Sequence, residues 1–144
     1  MKQSVKIVGT FLLLFVAAQS FAQIAYDVVW YYGGIQYRGL LILPQDGEED
    51  WTYRVRYVSD GRVRMVDQTM SPVTYSDGVA LHGCCARYAG TYTSCSTYSP
   101  DNLVVLQNGT AYNYDDNGQS RVYSIKPIYS KYTYNRLLNT VFHL

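Results

Sequence analysis

Five glycine-containing turn signals divide most of this chain into short segments and restrict the folds open to it. They are Gly33-Gly34, Ser59-Asp60-Gly61, Ser76-Asp77-Gly78, Asn108-Gly109 and Asp116-Asn117-Gly118. Each offers a residue that tolerates a positive φ angle, which tight β-hairpins require. The segments between them are rich in Val, Ile, Thr, Tyr and Trp and lack helical periodicity. This pattern predicts an antiparallel meander of strands.

The regular spacing of the turns predicts an all-β fold of about eight or nine short strands, arranged as a small barrel or a two-sheet sandwich. The tail, residues 129–144, is compatible with a short C-terminal helix or with a final strand. The predicted strands are residues 26–32, 35–43, 51–58, 62–70, 79–83, 92–97, 103–107, 110–114 and 120–127.

The first 22 residues have the composition of a secretory signal. Two lysines and an apolar run from Ile7 to Ala18 precede small residues at Ser20 and Ala22. The run is shorter than the roughly 20 residues that cross a bilayer, and the small residues suit cleavage before Gln23. We therefore predict a cleavable signal peptide over residues 1–22 and a protein that is secreted, periplasmic or part of the cell envelope.

Cleavage would leave residues 23–144 as a single β domain, since about 120 residues supply one core but not two. Both early lysines leave with the signal, so the mature chain is nearly neutral. Near-neutrality excludes a general polyanion binder, and nucleic acid is not an expected partner. Electrostatic recognition would depend on how the charges are distributed.

The three cysteines, Cys84, Cys85 and Cys95, fall in one stretch of the chain. An oxidising compartment favours a local disulfide. Adjacent cysteines rarely bond to each other, so we predict that Cys95 pairs with Cys84 or Cys85. The remaining thiol would be buried as a small apolar side chain or free for an intermolecular bond.

Alternation along residues 35–70 predicts which side chains share a face of the sheet. If residues 59–61 form a three-residue loop with Gly61 left-handed, Val58 faces Arg62 and Arg56 faces Arg64. One face then collects the apolar residues Tyr53, Val55, Tyr57, Val63 and Met65. The other face collects the predicted binding residues Arg38, Arg54, Arg56, Arg62 and Arg64.

Five arginines on one face would favour an anionic partner, because like charges opposite each other are destabilising. The planar guanidinium suits carboxylate and phosphate groups, to which it donates paired hydrogen bonds. The alternative is a solvated outer face whose arginine stems cover apolar surface. Leu40 and Ile42 share this face, so we expect the tail or a partner to cover part of it.

No catalytic or metal-binding constellation is recognisable. His82 and Cys84 could lie on one side of a strand, but the predicted disulfide competes for the cysteine. The segment Asn113-x-Asp115-x-Asn117-Gly118 resembles the opening of a calcium loop, yet Ser124 stands where the closing glutamate belongs, and a hairpin turn explains it better. We predict no catalytic residue, no metal and no cofactor, and the pattern favours a non-enzymatic protein while leaving an enzyme as an open alternative.

All 16 tyrosines follow the predicted signal, and tyrosine serves both strand packing and recognition surfaces. We therefore predict an exported, non-enzymatic binding or adhesion module. It would recognise an acidic glycan, a lipid headgroup or a protein through the arginine- and tyrosine-rich face. Two alternatives are a small β-barrel that carries an apolar ligand and a small outer-membrane barrel.

Overall fold

Successive strands of the chain pair as antiparallel neighbours, and the last strand returns to the first. The computed structural model describes residues 22–143, and within them eight strands close into a barrel with one short helix outside it. The strands are β1 (Ala25–Tyr32), β2 (Ile35–Ile42), β3 (Trp51–Ser59), β4 (Arg62–Tyr75), β5 (Gly78–Tyr88), β6 (Asn102–Leu106), β7 (Ala111–Asp115) and β8 (Gly118–Ile128). The helix is α1 (Lys131–Asn139).

The predicted all-β meander is confirmed, and the pairing of β8 with β1 makes it a barrel and not a sandwich. The predicted strand at residues 92–97 does not form. This stretch belongs to the connection between β5 and β6, which bends back on itself and keeps a single bridge between Arg87 and Ser94. The predicted signal peptide falls outside the described residues apart from Ala22.

The β3–β4 hairpin is joined by a two-residue turn. Asp60 and Gly61 both have positive φ angles, 54° and 73°, which is the backbone conformation of a type I′ turn. Ser59 therefore pairs with Arg62 at the end of the hairpin. The backbone twist of a type I′ turn matches the twist of the strands that it joins, so β3 and β4 leave the turn without a bulge.

The three-residue loop predicted from the sequence is therefore wrong, and the register is shifted by one residue. Because side chains alternate between faces, the shift moves Arg62 and Arg64 to the inner face while Arg54 stays on the outer wall. The predicted register placed Val63, near the hairpin tip, in the core. In the structure Val58 and Val63 pair at the rim of the barrel, and each is 40% exposed.

The interior of the barrel is filled by large side chains, among them Trp30, Tyr53, Met70, Leu81 and Leu103, all almost fully buried. Burial of each stabilises the fold by about 1.5–3 kcal/mol. Gly39 makes room for Tyr53, since a Cβ atom there would lie 2.5 Å from Tyr53 Cε1. The Tyr53 hydroxyl donates to Asn113 Oδ1 at 3.0 Å, so its polar end is satisfied inside the barrel.

A second apolar cluster lies outside the barrel, beneath the C-terminal segment. The tail does form a helix, α1, whose N-cap Ser130 accepts a hydrogen bond at its Oγ from the Thr133 N–H at 3.2 Å. Leu40 is completely buried by this segment, as expected for a face that the tail covers. The cluster consists of Ala25, Leu40, Met65, Ile128, Leu137 and Phe142.

Helix α1 has nine residues and a polar composition. Across residues 22–143 there is no helix with the length and apolar character needed to span a membrane.

Candidate ligand-binding mouth of the barrel

Four connections surround one end of the barrel, which we call the mouth. They are the β1–β2, β3–β4 and β7–β8 turns and the long β5–β6 loop, residues 89–101. A cavity of about 760 Å³ lies there, within the size range of small-molecule sites. Its wall combines tyrosines, arginines and carboxylates: Tyr37, Tyr57, Tyr88, Tyr98, Arg62, Arg64, Asp60, Asp115 and Asp116.

The tyrosine rings at the mouth are held by neighbouring rings. Tyr57 and Tyr98 lie with centroids 4.9 Å apart and their planes tilted by 44°. Tyr37 stacks on the buried Trp30 at 5.7 Å with an interplanar angle of 13°. Both distances are typical of favourable aromatic pairs. The rings are therefore fixed in position before any ligand binds.

The two arginines at the mouth lie on β4. Arg64 is opposite Tyr57 and partly exposed, while Arg62 is next to the turn and exposed. Within residues 22–143 neither makes an ion pair, since the two pairs that form involve other arginines. The positive charge of Arg64 also opposes the rise in the pKa of Tyr57 that burial causes. Both guanidinium groups are thus available to an anionic ligand.

The other predicted binding arginines lie on the outer wall and do not share the mouth. Arg38 lies opposite Arg56 and donates to both carboxylate oxygens of Asp27 at 3.0 and 3.1 Å. Arg56 is partly exposed. The single face of five arginines expected from the sequence is therefore replaced by two separate sets.

Arg54 is partly buried, and the C-terminal tail contacts its side chain. It forms a bidentate pair with Asp67, with Nε to Oδ1 at 2.7 Å and Nη2 to Oδ2 at 2.9 Å. Its remaining nitrogen, Nη1, donates to the Phe142 carbonyl at 3.3 Å. The Gly90 N–H also donates to Asp67 Oδ2 at 2.8 Å. Arg54 therefore joins the outer wall, the tail and the β5–β6 loop, which is a structural role.

A buried polar network lies beneath the mouth, centred on Asp101. Its Oδ2 accepts from the Tyr98 hydroxyl at 2.7 Å and from Gln68 Nε2 at 2.9 Å, and its N–H donates to Gln68 Oε1 at 2.6 Å. Asp101 is fully buried, and this burial raises its pKa from 3.8 to about 7. The network fixes Tyr98, and with it the end of the β5–β6 loop, against the barrel.

The β7–β8 turn places an acidic side chain on the side of the cavity opposite Arg62 and Arg64. Asp115 Oδ1 accepts from the Asn117 N–H at 2.8 Å, and burial raises the pKa of Asp115 above its usual range. The Asn117 side chain reaches Tyr37, with Nδ2 to the hydroxyl at 3.5 Å. One side of the mouth thus carries the two arginines together with Asp60, and the other side offers hydrogen-bond acceptors.

The cysteines do not pair as predicted. Cys84 and Cys85 bond to each other, and Cys95 is a free, buried thiol. The Cys95 N–H donates to the Ala86 carbonyl at 2.9 Å, so the backbones are adjacent. Its side chain belongs to the inner core, whereas Cys84 and Cys85 are exposed. The wall of the barrel therefore lies between the sulfur atoms of Cys84 and Cys85 and the sulfur atom of Cys95.

The residues singled out for chemistry lie apart from the mouth or in its turns. His82 is exposed on the outer wall, where Nδ1 lies 3.3 Å from Asn102 Oδ1. The segment resembling a calcium loop is the β7–β8 hairpin. No group of three or more His, Cys, Asp or Glu side chains in residues 22–143 is arranged to hold a metal ion.

Three functional candidates at the mouth were not identified from the sequence: Tyr57, Tyr98 and Asp101. Tyr57 was assigned to the core, and it does contact the core while also lining the cavity. Comparison of the chain with protein-family models, curated proteins and solved structures finds no match. The function must therefore be argued from the geometry of the mouth.

Proposed function

We propose that this protein is a binding module that takes a small acidic saccharide in the mouth of the barrel. The observation that carries the proposal is the presence, in one open cavity, of fixed tyrosine rings and of two arginines that have no carboxylate partner among residues 22–143. Because side chains fill the interior of this eight-stranded barrel, the cavity at its mouth is the place where a small ligand could bind.

The tyrosine rings supply the apolar part of such a site. One face of a sugar ring carries mainly C–H groups, which pack against an aromatic face. Tyr57 and Tyr98 present tilted rings that are partly exposed within the cavity. Because neighbouring rings and the Asp101 hydrogen bond already fix them, little side-chain entropy is lost on binding.

The arginines supply the charge selection. The guanidinium of Arg64 lies across from Tyr57, so a carboxylate on a sugar stacked against that ring would be close to the fork. Arg62 lies on the same side of the cavity, closer to the rim of the barrel. Asp115 and Asn117 on the opposite side are suited to accept hydrogen bonds from sugar hydroxyls. A uronic acid unit matches all three features.

The proposed location follows from the predicted signal over residues 1–22. A cleaved protein would be secreted, periplasmic or held in the cell envelope, where acidic polysaccharides occur. An apolar ligand receives less support, because large side chains fill the interior and charged groups line the mouth.

Calorimetric titration with a uronic acid disaccharide and with the neutral disaccharide of the same linkage tests the proposal. We expect heat only from the acidic sugar, and weaker binding as salt increases. Arg64→Gln should lower the affinity at least tenfold, since a hydrogen bond to a charged group contributes about 1.5–3 kcal/mol. Arg136→Gln, an exposed arginine on α1, is the matched control and should leave the affinity unchanged.

Tyr57→Phe and Tyr57→Ala separate the ring from its hydroxyl. The phenylalanine variant should keep most of the affinity, whereas the alanine variant should lose about tenfold, because an aromatic contact contributes about 0.5–1.5 kcal/mol beyond its buried area. Equal binding of both sugars, or no effect of Arg64→Gln, would exclude the proposed recognition.

A further inference from the structure

The pairing of β4 with β5 is interrupted by one extra residue on β5. Asp67 pairs with Arg87 and Thr69 pairs with Cys84, so two residues of β5 stand opposite one of β4. This is a β-bulge, a feature that redirects a strand. Cys85 lies within it and has a φ angle of 64°, in the left-handed region that non-glycine residues rarely adopt.

The bulge carries the disulfide between Cys84 and Cys85, and both residues are exposed on the outer wall. A thiol in solution can therefore reach either sulfur without unfolding of the barrel. Cys95 is only 3% exposed and belongs to the inner core, so it is protected from the same reagent. Cys84 and Cys85 are thus accessible to a thiol reagent, whereas Cys95 is not.

A cation lies beside the exposed disulfide. Arg87 Nη1 donates to Thr69 Oγ1 at 3.3 Å, and Thr69 is the cross-strand partner of Cys84. A nearby positive charge stabilises the thiolate that leaves when a disulfide is attacked. The surroundings therefore favour exchange at this disulfide.

The parts of β5 on both sides of the bulge are hydrogen-bonded to the β5–β6 loop. The Ala86 carbonyl accepts from the Cys95 N–H at 2.9 Å, and the Gly83 N–H donates to the Asp101 carbonyl at 2.9 Å. Tyr88, at the end of β5, lines the cavity. The direction that the bulge gives to β5 thus sets the position of the β5–β6 loop over the mouth.

We propose that the Cys84–Cys85 disulfide is a reversible thiol-exchange site, and that its opening loosens the β5–β6 loop at the mouth. A low-molecular-weight thiolate attacks one sulfur, forms a mixed disulfide and releases the other cysteine as a thiolate. A second thiol then attacks the mixed disulfide. Two thiols are oxidised to their disulfide, and the cysteine pair is reduced to a dithiol. The proposal does not depend on which ligand the mouth binds.

The first test is alkylation of the folded protein with N-ethylmaleimide after treatment with millimolar glutathione, followed by peptide mass spectrometry. We expect modification of Cys84 and Cys85 and none of Cys95. Arg87→Gln should slow the glutathione step several-fold, whereas Lys126→Gln, on a distant strand, should not. A disulfide that stays closed, or labelling of all three cysteines together, would overturn the proposal.

The second test is amide hydrogen exchange of the oxidised and reduced protein. Reduction should raise the exchange rates of the Cys95 and Gly83 amides by about tenfold or more and leave the Val28 amide unchanged. A Cys84→Ser, Cys85→Ser double variant should show the raised rates without reductant. Cys95→Ser should retain both glutathione sensitivity and the rate change. Unchanged exchange after complete reduction would contradict the coupling to the loop.

Discussion

The buried carboxyl of Asp101 should make the stability of this protein fall as the pH rises through neutrality. Asp101 is fully buried, and burial raises its pKa from 3.8 to about 7, against the hydrogen bonds from Tyr98 and Gln68, which lower it. The folded state therefore holds a proton that the unfolded chain releases at a lower pH. The contribution of Asp101 to stability is fully present below about pH 4 and is lost progressively up to about pH 7.

The magnitude follows from the size of the shift. A rise of about three units at roughly 1.4 kcal/mol per unit corresponds to about 4 kcal/mol over the full range. Between pH 4.5 and 8 the free energy of unfolding should fall by about 3 kcal/mol, because part of the pH range over which Asp101 affects stability lies below pH 4.5. This is a large fraction of the 5–15 kcal/mol that is roughly typical of a folded domain.

Asp101→Asn removes the titrating group and nearly preserves its shape. The assay is urea unfolding followed by tryptophan fluorescence, at several pH values from 4.5 to 8. The free energy of unfolding of the variant, minus that of the wild type, should rise by about 3 kcal/mol across this range. Asp77→Asn, in the exposed β4–β5 turn, is the control for removal of a carboxyl group and should not reproduce this rise. A flat or falling difference for Asp101→Asn would refute the reasoning.

Three further substitutions test the packing around the mouth and the tail, each by urea unfolding. Arg54→Met leaves the Asp67 carboxylate without its cation and should lower the free energy of unfolding by about 2 kcal/mol or more. Leu137→Ala should cost about 2–4 kcal/mol, because it opens a cavity under α1. Gly39→Ala should cost at least about 2 kcal/mol, since its Cβ would displace the Tyr53 ring. If any of these variants lost less than about 0.5 kcal/mol in its free energy of unfolding, the contact that the variant tests would be contradicted.

Most of the fold could be predicted because the turns are encoded locally. Each hairpin depends on a few adjacent residues, and Gly33 and Gly34 both have the positive φ angles that their sequence implies. Barrel closure could not be predicted, because barrels and sandwiches share the same alternation of apolar and polar residues. The choice depends on pairing between β1 and β8, which lie about a hundred residues apart.

The candidate site was only partly predictable. The sequence pattern places Arg62 and Arg64 on the outer face, whereas both line the mouth from the inner face. The difference arises because the predicted register was chosen to bury Val63 and Met65. The pair Asp60-Gly61 is itself a strong signal for a two-residue turn and would have given the observed register. Asp101 carries no local signal, since its burial arises from how the β5–β6 loop folds over the barrel.

The disulfide partners could not be predicted from the spacing of the cysteines along the chain. Cys95 does lie beside Ala86, one residue from Cys85, so the predicted proximity is correct for the backbone. The bulge turns Cys84 and Cys85 outward, and the loop turns Cys95 inward. A sequence alone does not predict that an extra residue reverses the direction of a side chain at this point.

The most direct measurement of the central claim is mapping of amide chemical shifts while a uronic acid disaccharide is added to the isotope-labelled protein. We expect the shifts to concentrate at the mouth, around residues 57–64, 97–99 and 115–117. Shifts that concentrate instead on the outer wall around Arg38 and Arg56, or no shifts at millimolar sugar, would contradict it.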